Sequence, residues 1–277
     1  MVESFIILFR EAFEAALVVG IILSYLKRTG ATSQYNTVAY GTAAAIAASF
    51  ATAAAFKMLA VNFEGANEEI FEGITMLVTA ALLSTMIIWM IRVKPSVKQI
   101  EKETSSTLTG NKWGLFFLVF VSIFREGLEA VLFLSGLDIE GANGLIGGFL
   151  GIMVGVGLVY LLFRGLIQLN FKVLFNVTNT LLVLIAAGLV AHGFHELQEA
   201  GVVTFLGNVI WDINPALNAD GTYPALHDHG SIGGFLSSVF GYNGNPTALE
   251  VLSYLLYIAI IILGAKIGKG SSKVVAS

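Results

Sequence analysis

Two short motifs place charge where the sequence is otherwise apolar. Arg10, Glu11 and Glu14 interrupt one apolar run, and Arg125, Glu126 and Glu129 interrupt another with the same spacing. On a helix, glutamates three residues apart share a face, and an arginine four residues before the second glutamate can pair with it on that face. If the two helices face each other, four carboxylates and two guanidinium groups surround one volume, with negative charge in excess. Carboxylate oxygens suit a hard, highly charged cation. The arginines keep the neighbouring carboxylates ionised and can hold them when no cation is present. The sequence therefore predicts Glu11, Glu14, Glu126 and Glu129 as metal ligands, with Arg10 and Arg125 as supporting ion pairs. Ionisable groups inside a membrane are rare and usually functional. The competing expectation is a buried salt-bridge cluster that only fixes helix register.

A second set of polar residues lies outside these motifs. Glu64, Glu68, Glu69 and Glu72 form an acidic cluster. Glu64 and Glu68 read as a solvated loop and a helix start, where acids sit at the positive end of the dipole. Glu72 lies further into the apolar run and is a candidate for the mouth of an ion path. His192 and Glu196, and His195 and Glu199, are each four apart. That is metal-ligand spacing, and equally the spacing of interfacial hydrogen bonds and caps. His195 to Glu199 resembles a zinc-protease helix but has Glu where the second His belongs. His227, Asp228 and His229 form either a capture site or an ordinary turn.

The elements that must position these groups are long apolar helices. A spanning helix needs about 20 mostly apolar residues. Seven segments qualify, over Ser4–Leu26, Asn36–Ala60, Ile70–Ile91, Trp113–Gly136, Gly144–Phe163, Val173–His195 and Leu249–Ala265. Lys27, Arg28, Arg92, Lys94, Lys98, Lys102, Lys112, Arg164, Lys172 and the Lys266, Lys269, Lys273 tail fall on one side. Glu64, Glu68, Glu69, Asp138 and Glu140 fall on the other. The positive-inside rule then puts the N-terminus outside and the C-terminus in the cytoplasm. Lys57 is a misfit near the outer end of the second span and has to snorkel or find a partner. The first apolar run is interrupted by charge and lacks a basic leader, so it is not expected to be a cleavable signal peptide.

The expected architecture is thus an all-α integral membrane protein forming one permease domain over residues 1–277. Arg10-Glu-Ala-Phe-Glu-Ala-Ala-Leu returns as Arg125-Glu-Gly-Leu-Glu-Ala-Val-Leu. The halves, about 1–95 and 112–200, run in opposite directions across the membrane, giving a three-plus-three inverted repeat with one further helix at about 249–265. Transporters often carry their site at such a repeat interface. Gly41, Ala45, Ser49 and Ala53 in one half, and Gly147, Gly151 and Gly155 in the other, offer small-residue faces for close packing within the chain or in a dimer. An external loop over about 196–248 contains a short re-entrant or interfacial segment at Ile232–Phe240.

Composition agrees. The 277 residues are 56% hydrophobic and 12% charged, against about 25% charge in a soluble domain. The mean hydropathy is +0.81 and the pI about 5.6. The net charge of -4 argues against a nucleic-acid partner. Cysteine is absent, which excludes disulfides and thiolate ligands.

The paired motifs in the first and fourth spans resemble the oxidase-dependent iron transporter (iron permease) family. Tyr25-Leu-Lys-Arg-Thr29, Glu69-Ile-Phe-Glu-Gly73, His195-Glu-Leu-Gln-Glu-Ala-Gly201 and Phe240-Gly-Tyr242 are similar to its bacterial EfeU-like branch. The first motif departs from the usual Gly-Leu with Ala12-Phe13, leaving the charged positions intact. The resemblance implies uptake of iron, Fe2+ or Fe3+, across the cytoplasmic (inner) membrane, with the four glutamates as ligands. It also implies a separate extracytoplasmic oxidase or iron-binding partner. No enzymatic activity is expected. The competing functions are uptake of another divalent ion such as manganese or zinc, an intramembrane metalloenzyme built on His195, Glu196 and Glu199, and a membrane anchor for a redox partner.

Overall fold

In the computed structural model, the described residues are 1–60, 65–92, 97–108, 112–135, 141–218, 222–228 and 230–274. They form nine α-helices: α1 Val2–Arg28, α2 Tyr35–Ala60, α3 Ala66–Arg92, α4 Val97–Leu108, α5 Lys112–Ser135, α6 Gly141–Phe163, α7 Phe171–Glu199, α8 Ser231–Phe240 and α9 Ala248–Val274. Each of the seven long helices falls on one predicted segment, α5 as far as Ser135, and most overrun it at one or both ends, because a helix continues past its apolar stretch while local hydrogen bonds are available. Glu64, Lys94, Gly136, Asp138, Glu140 and His229 lie outside the described residues.

The chain is a membrane protein. Segments 32–58, 66–88, 144–163 and 173–199 are long and apolar enough to cross a bilayer. Helices α1 and α5 are equally long, but each carries the three charges of its motif in the middle of its apolar stretch. On α6, Leu145 and Phe149 are 76% and 64% exposed, and Ile146, Met153 and Val156 are exposed too. So wide an apolar surface is stable against lipid and unstable against water.

Close helix approaches set the packing. α1 lies along α6, α2 along α5, and α3 along α7. A Cβ at Gly151 would sit 2.5 Å from the Phe5 carbonyl oxygen, and one at Gly155 would sit 2.7 Å from that of Phe9. Only glycine lets the α1 backbone come so near, so the Gly147, Gly151, Gly155 face is spent on contact within the chain. The matching face of α2 packs on α5, with Gly41 against Phe116 and Val119 and Ser49 against Gly127. Gly73 and Gly193 touch reciprocally between α3 and α7.

Two apolar clusters follow. One joins Ile6 and Ile7 of α1 to Leu83 and Ile87 of α3, Phe133 of α5, Leu182, Ile185 and Leu189 of α7, and Val239 of α8. The other joins Ile22 and Leu26 of α1 to Val38 and Ala45 of α2 and Leu115, Val119 and Ile123 of α5.

Two shorter helices complete the fold. α4 lies between the third and fourth long segments, where the sequence reading assigned no element. Ile100 and Thr104 face inward one turn apart, the positions between Val97 and Leu108 are otherwise polar, and Arg28 of α1 pairs with Glu101. Its amphipathic period was hidden by the density of lysines around it. α8 occupies the anticipated interfacial segment and ends on Gly241 in the left-handed region (φ 67°), a conformation that favours glycine. Around it, Ile210 and Ile213 donate to the carbonyls of Pro246 and Gly244 at 3.0 and 2.8 Å, tying the segment after α7 to the start of α9.

Candidate metal centre

Helix α1 is anchored by Ile6, Ile7 and Phe13, all buried. Their faces fix where Arg10 and Glu11 point. Arg10 is 1% exposed and Glu11 3%. Arg10 bridges two carboxylates: one guanidinium nitrogen is 3.1 Å from Glu11 Oε1 and the other 3.1 Å from Glu14 Oε1. Met86 Sδ of α3 also accepts from Arg10, at 2.7 Å. On α5, Arg125 Nε donates to Glu129 Oε1 at 2.9 Å.

The two motifs converge. One oxygen from each of Glu11, Glu126 and Glu129 lies within 4.8 Å of the other two. Glu11 Oε2 is buried with no hydrogen-bond partner among the described residues. Carboxylate oxygens bind a divalent transition metal at about 2.0–2.2 Å, so neighbouring ligand oxygens stand roughly 3 Å apart. Small side-chain rotations would bring the three together around one ion. Glu14, the fourth expected ligand, is turned to Arg10 and stands outside this trio. Three carboxylates crowded at low dielectric repel strongly unless a cation or a proton intervenes. The arrangement can therefore hold a hard cation, with Arg10 and Arg125 as competing internal cations.

The residues expected at the outer mouth are spread around the meeting of α3, α7 and α9. His195 is shared between two carboxylates, with Nδ1 3.0 Å from Glu250 Oε1 and Nε2 3.3 Å from Glu199 Oε1. His192 Nδ1 faces the Gly188 carbonyl of its own helix at 3.0 Å. Glu72 and Glu69 stand near enough to Glu196 to repel it. Among the described residues the carboxylate trio is the one group with metal-binding proximity, and His195, Glu196 and Glu199 do not form another. A cavity of about 320 Å³ opens beside them, lined by His192, Trp211, Tyr242, Asn243, Glu250 and Tyr254 among others. Asp228 accepts from Asn214 Nδ2 at 2.7 Å and from the Gly244 amide at 3.0 Å, so it fastens the segment between α7 and α9. His227 stacks obliquely on Tyr223.

Glu250 was missed by the sequence reading. It is 2% exposed, accepts from Asn243 Nδ2 at 2.7 Å and the Thr247 amide at 3.0 Å, and its own amide donates to Thr247 Oγ1 at 3.3 Å. Thr247-Ala-Leu-Glu250 before an apolar run is a capping box, and that signal was legible.

The iron permease FTR1 family matches residues 1–274. An uncharacterized protein of Archaeoglobus fulgidus is 34% identical over 263 residues, covering 95% of this chain and 93% of its own. Proteins named ferrous iron permease EfeU from Yersinia pestis and from Escherichia coli O6:K15:H31 are each 32% identical over 264 residues, covering 93% of this chain and 90% and 92% of theirs. No solved structure matches. Matched along nearly its whole length, the chain belongs to the iron permease FTR1 family.

Proposed function

We propose that the protein carries iron across the cytoplasmic (inner) membrane through the carboxylates of its two Arg-Glu-x-x-Glu motifs. The observation that carries this reading is the convergence of Glu11 with Glu126 and Glu129, from two helices far apart in sequence, to within 4.8 Å. The orphaned buried oxygen of Glu11 supports it. An arriving cation displaces Arg10 from Glu11 and Glu14 and recruits Glu14 as a further ligand. On departure the Arg10 and Arg125 pairs re-form, so no carboxylate is left without a counter-charge. The relatives named ferrous iron permeases favour Fe2+ as the cargo.

In this reading seven helices span the membrane: α1, α2, α3, α5, α6, α7 and α9. The N-terminus is outside. The packing of α1 on α6 and of α2 on α5 supports the inverted repeat, because exchanging the halves turns one contact into the other. Glu72, His192, His195, Glu196 and Glu199 serve the outer mouth. An extracytoplasmic oxidase or iron-binding protein, implied by the resemblance, delivers the ion as a separate chain.

Uptake of radioactive iron in both oxidation states into proteoliposomes tests the proposal. Wild-type protein takes up Fe2+, while Glu11→Gln, Glu126→Gln and the double variant lose uptake yet remain folded and inserted. Unchanged uptake in the double variant would falsify the carboxylate pathway.

A further inference from the structure

Arg10 is 1% exposed, so a cation that takes Glu11 and Glu14 from it leaves a guanidinium with no water to turn to. An uncompensated charge inside the protein is strongly disfavoured, and the displaced group needs other acceptors. One is already engaged, because Met86 Sδ of α3 accepts from Arg10 at 2.7 Å.

Another lies on α7. Asn179 Oδ1 is buried without a hydrogen-bond partner among the described residues. The hydroxyls of Thr178 and Thr180 on either side donate to carbonyls one turn back. Buried amide oxygens are rarely left without a donor. Two contacts fix where Asn179 stands. Phe13 of α1 meets Phe175 of α7 edge-on at 6.1 Å, and Ile6 and Ile7 share a cluster with Leu182 and Ile185, so the two helices run antiparallel. Phe175, Asn179 and Leu182 are four and three residues apart and share the face of α7 turned to α1. Ile6, Arg10 and Phe13 share the facing side of α1 in the same way. Arg10 precedes Phe13 by three residues and Asn179 follows Phe175 by four, so their heights along the helix axes differ by only about 1–2 Å. Met86 belongs to the same cluster as Leu182.

We propose that Asn179 and Met86 form a second seat for the Arg10 guanidinium. When iron occupies the carboxylates, Arg10 turns from Glu11 and Glu14 to the Asn179 amide oxygen and the Met86 thioether, and it swings back as the ion leaves. This rests on the permease reading of the carboxylate cluster. Asn179 is a positioning residue: it acts through Arg10 and does not touch the ion. An amide suits that work. Its oxygen accepts from a guanidinium, yet it carries no charge to hold Arg10 against the return pull of two carboxylates. The metal-free protein thus keeps ready an acceptor that is used in the loaded state.

Anaerobic Fe2+ titration and thermal unfolding of the purified full chain in detergent, with uptake kinetics in proteoliposomes, test this. Asn179→Leu removes the acceptor at similar volume. It should weaken Fe2+ binding about tenfold and raise KM in step, since a hydrogen bond to a charged group is lost in the loaded state only. The metal-free protein should unfold at the wild-type temperature or above, because Oδ1 has no bond there to lose. Asn179→Asp supplies a charged acceptor that holds Arg10 off Glu11 and Glu14, so Fe2+ should bind about tenfold tighter and turn over more slowly. A packing role alone would move both variants in the same direction and lower the metal-free unfolding temperature, and that result overturns the proposal. So does Fe2+ affinity unchanged in both variants, which leaves the permease reading standing as long as the wild type binds and transports Fe2+. A wild type that neither binds nor transports Fe2+ rejects the permease reading, and the second seat with it.

Discussion

His195 Nδ1 and Glu250 Oε1 meet at 3.0 Å across the junction of α7 and α9. The same carboxylate caps α9 and holds Asn243. Glu250 is therefore saturated with structural partners. Loss of a cap costs about 1 kcal/mol, and loss of a buried charged hydrogen bond about 1.5–3 kcal/mol. Glu250→Ala should lower stability by roughly 2–4 kcal/mol, read as earlier thermal unfolding in detergent, while iron uptake per folded molecule stays near normal. Loss of uptake without loss of stability would assign Glu250 to the ion path instead.

The glycine face of α6 makes a contrast within one helix. A Cβ on Gly151 would press on the Phe5 carbonyl oxygen, whereas one on Gly157 meets nothing within 4 Å. Gly151→Ala should cost about 1–3 kcal/mol through forced separation from α1. Gly157→Ala should be neutral or gain up to about 1 kcal/mol from helix propensity. Thermal unfolding of the two variants side by side checks this, and equal effects would show that α1 and α6 tolerate a wider spacing.

The arginines should also differ. Arg10 is buried between two carboxylates, whereas Arg125, paired with Glu129, is half exposed. Removing one member of a buried ion pair costs about 3–5 kcal/mol, and of an exposed pair about 1 kcal/mol or less. Arg10→Ala should accordingly be far more destabilising than Arg125→Ala in the metal-free protein. Adding Fe2+ or Mn2+ should restore part of the loss in Arg10→Ala, since a cation then replaces the missing charge.

Ligand chemistry predicts the order of competitors. Three carboxylates with no thiolate and no imidazole favour hard divalent ions over soft monovalent copper. In the liposome assay Mn2+ should compete with Fe2+ and Cu+ should leave uptake unchanged. Potent inhibition by Cu+ would point to a softer ligand such as Met86 at the centre.

The charged motifs were legible because apolar surroundings make three charges conspicuous, and the same hydropathy marked the seven long helices and the short segment that became α8. Other features rested on placement that no local pattern encodes. The pairing of Glu14 with Arg10, which leaves it outside the closest trio of carboxylates, depends on how α1 is rotated against α5. The asymmetry between Arg10 and Arg125 depends on which neighbours cover each flank. The glycines of α6 were visible as a packing face, but their partner could have been α1 or another copy of the chain. Helix α4 and Glu250 were different: Ile100 and Thr104 at helical spacing, and the Thr247-to-Glu250 box, were in the sequence and overshadowed by stronger signals.

The glycine contact between α1 and α6 also bears on how the protein is made. A chain emerges N-terminus first, so α1, with Arg10, Glu11 and Glu14 in its middle, reaches the membrane before the helix that fits it exists. Its close-packing partner and the carboxylates that complete its site all come from the second half. The insertion machinery must therefore shelter α1 until α5 and α6 follow, and a ribosome stalled between the halves would leave a segment for quality control to recognise and remove.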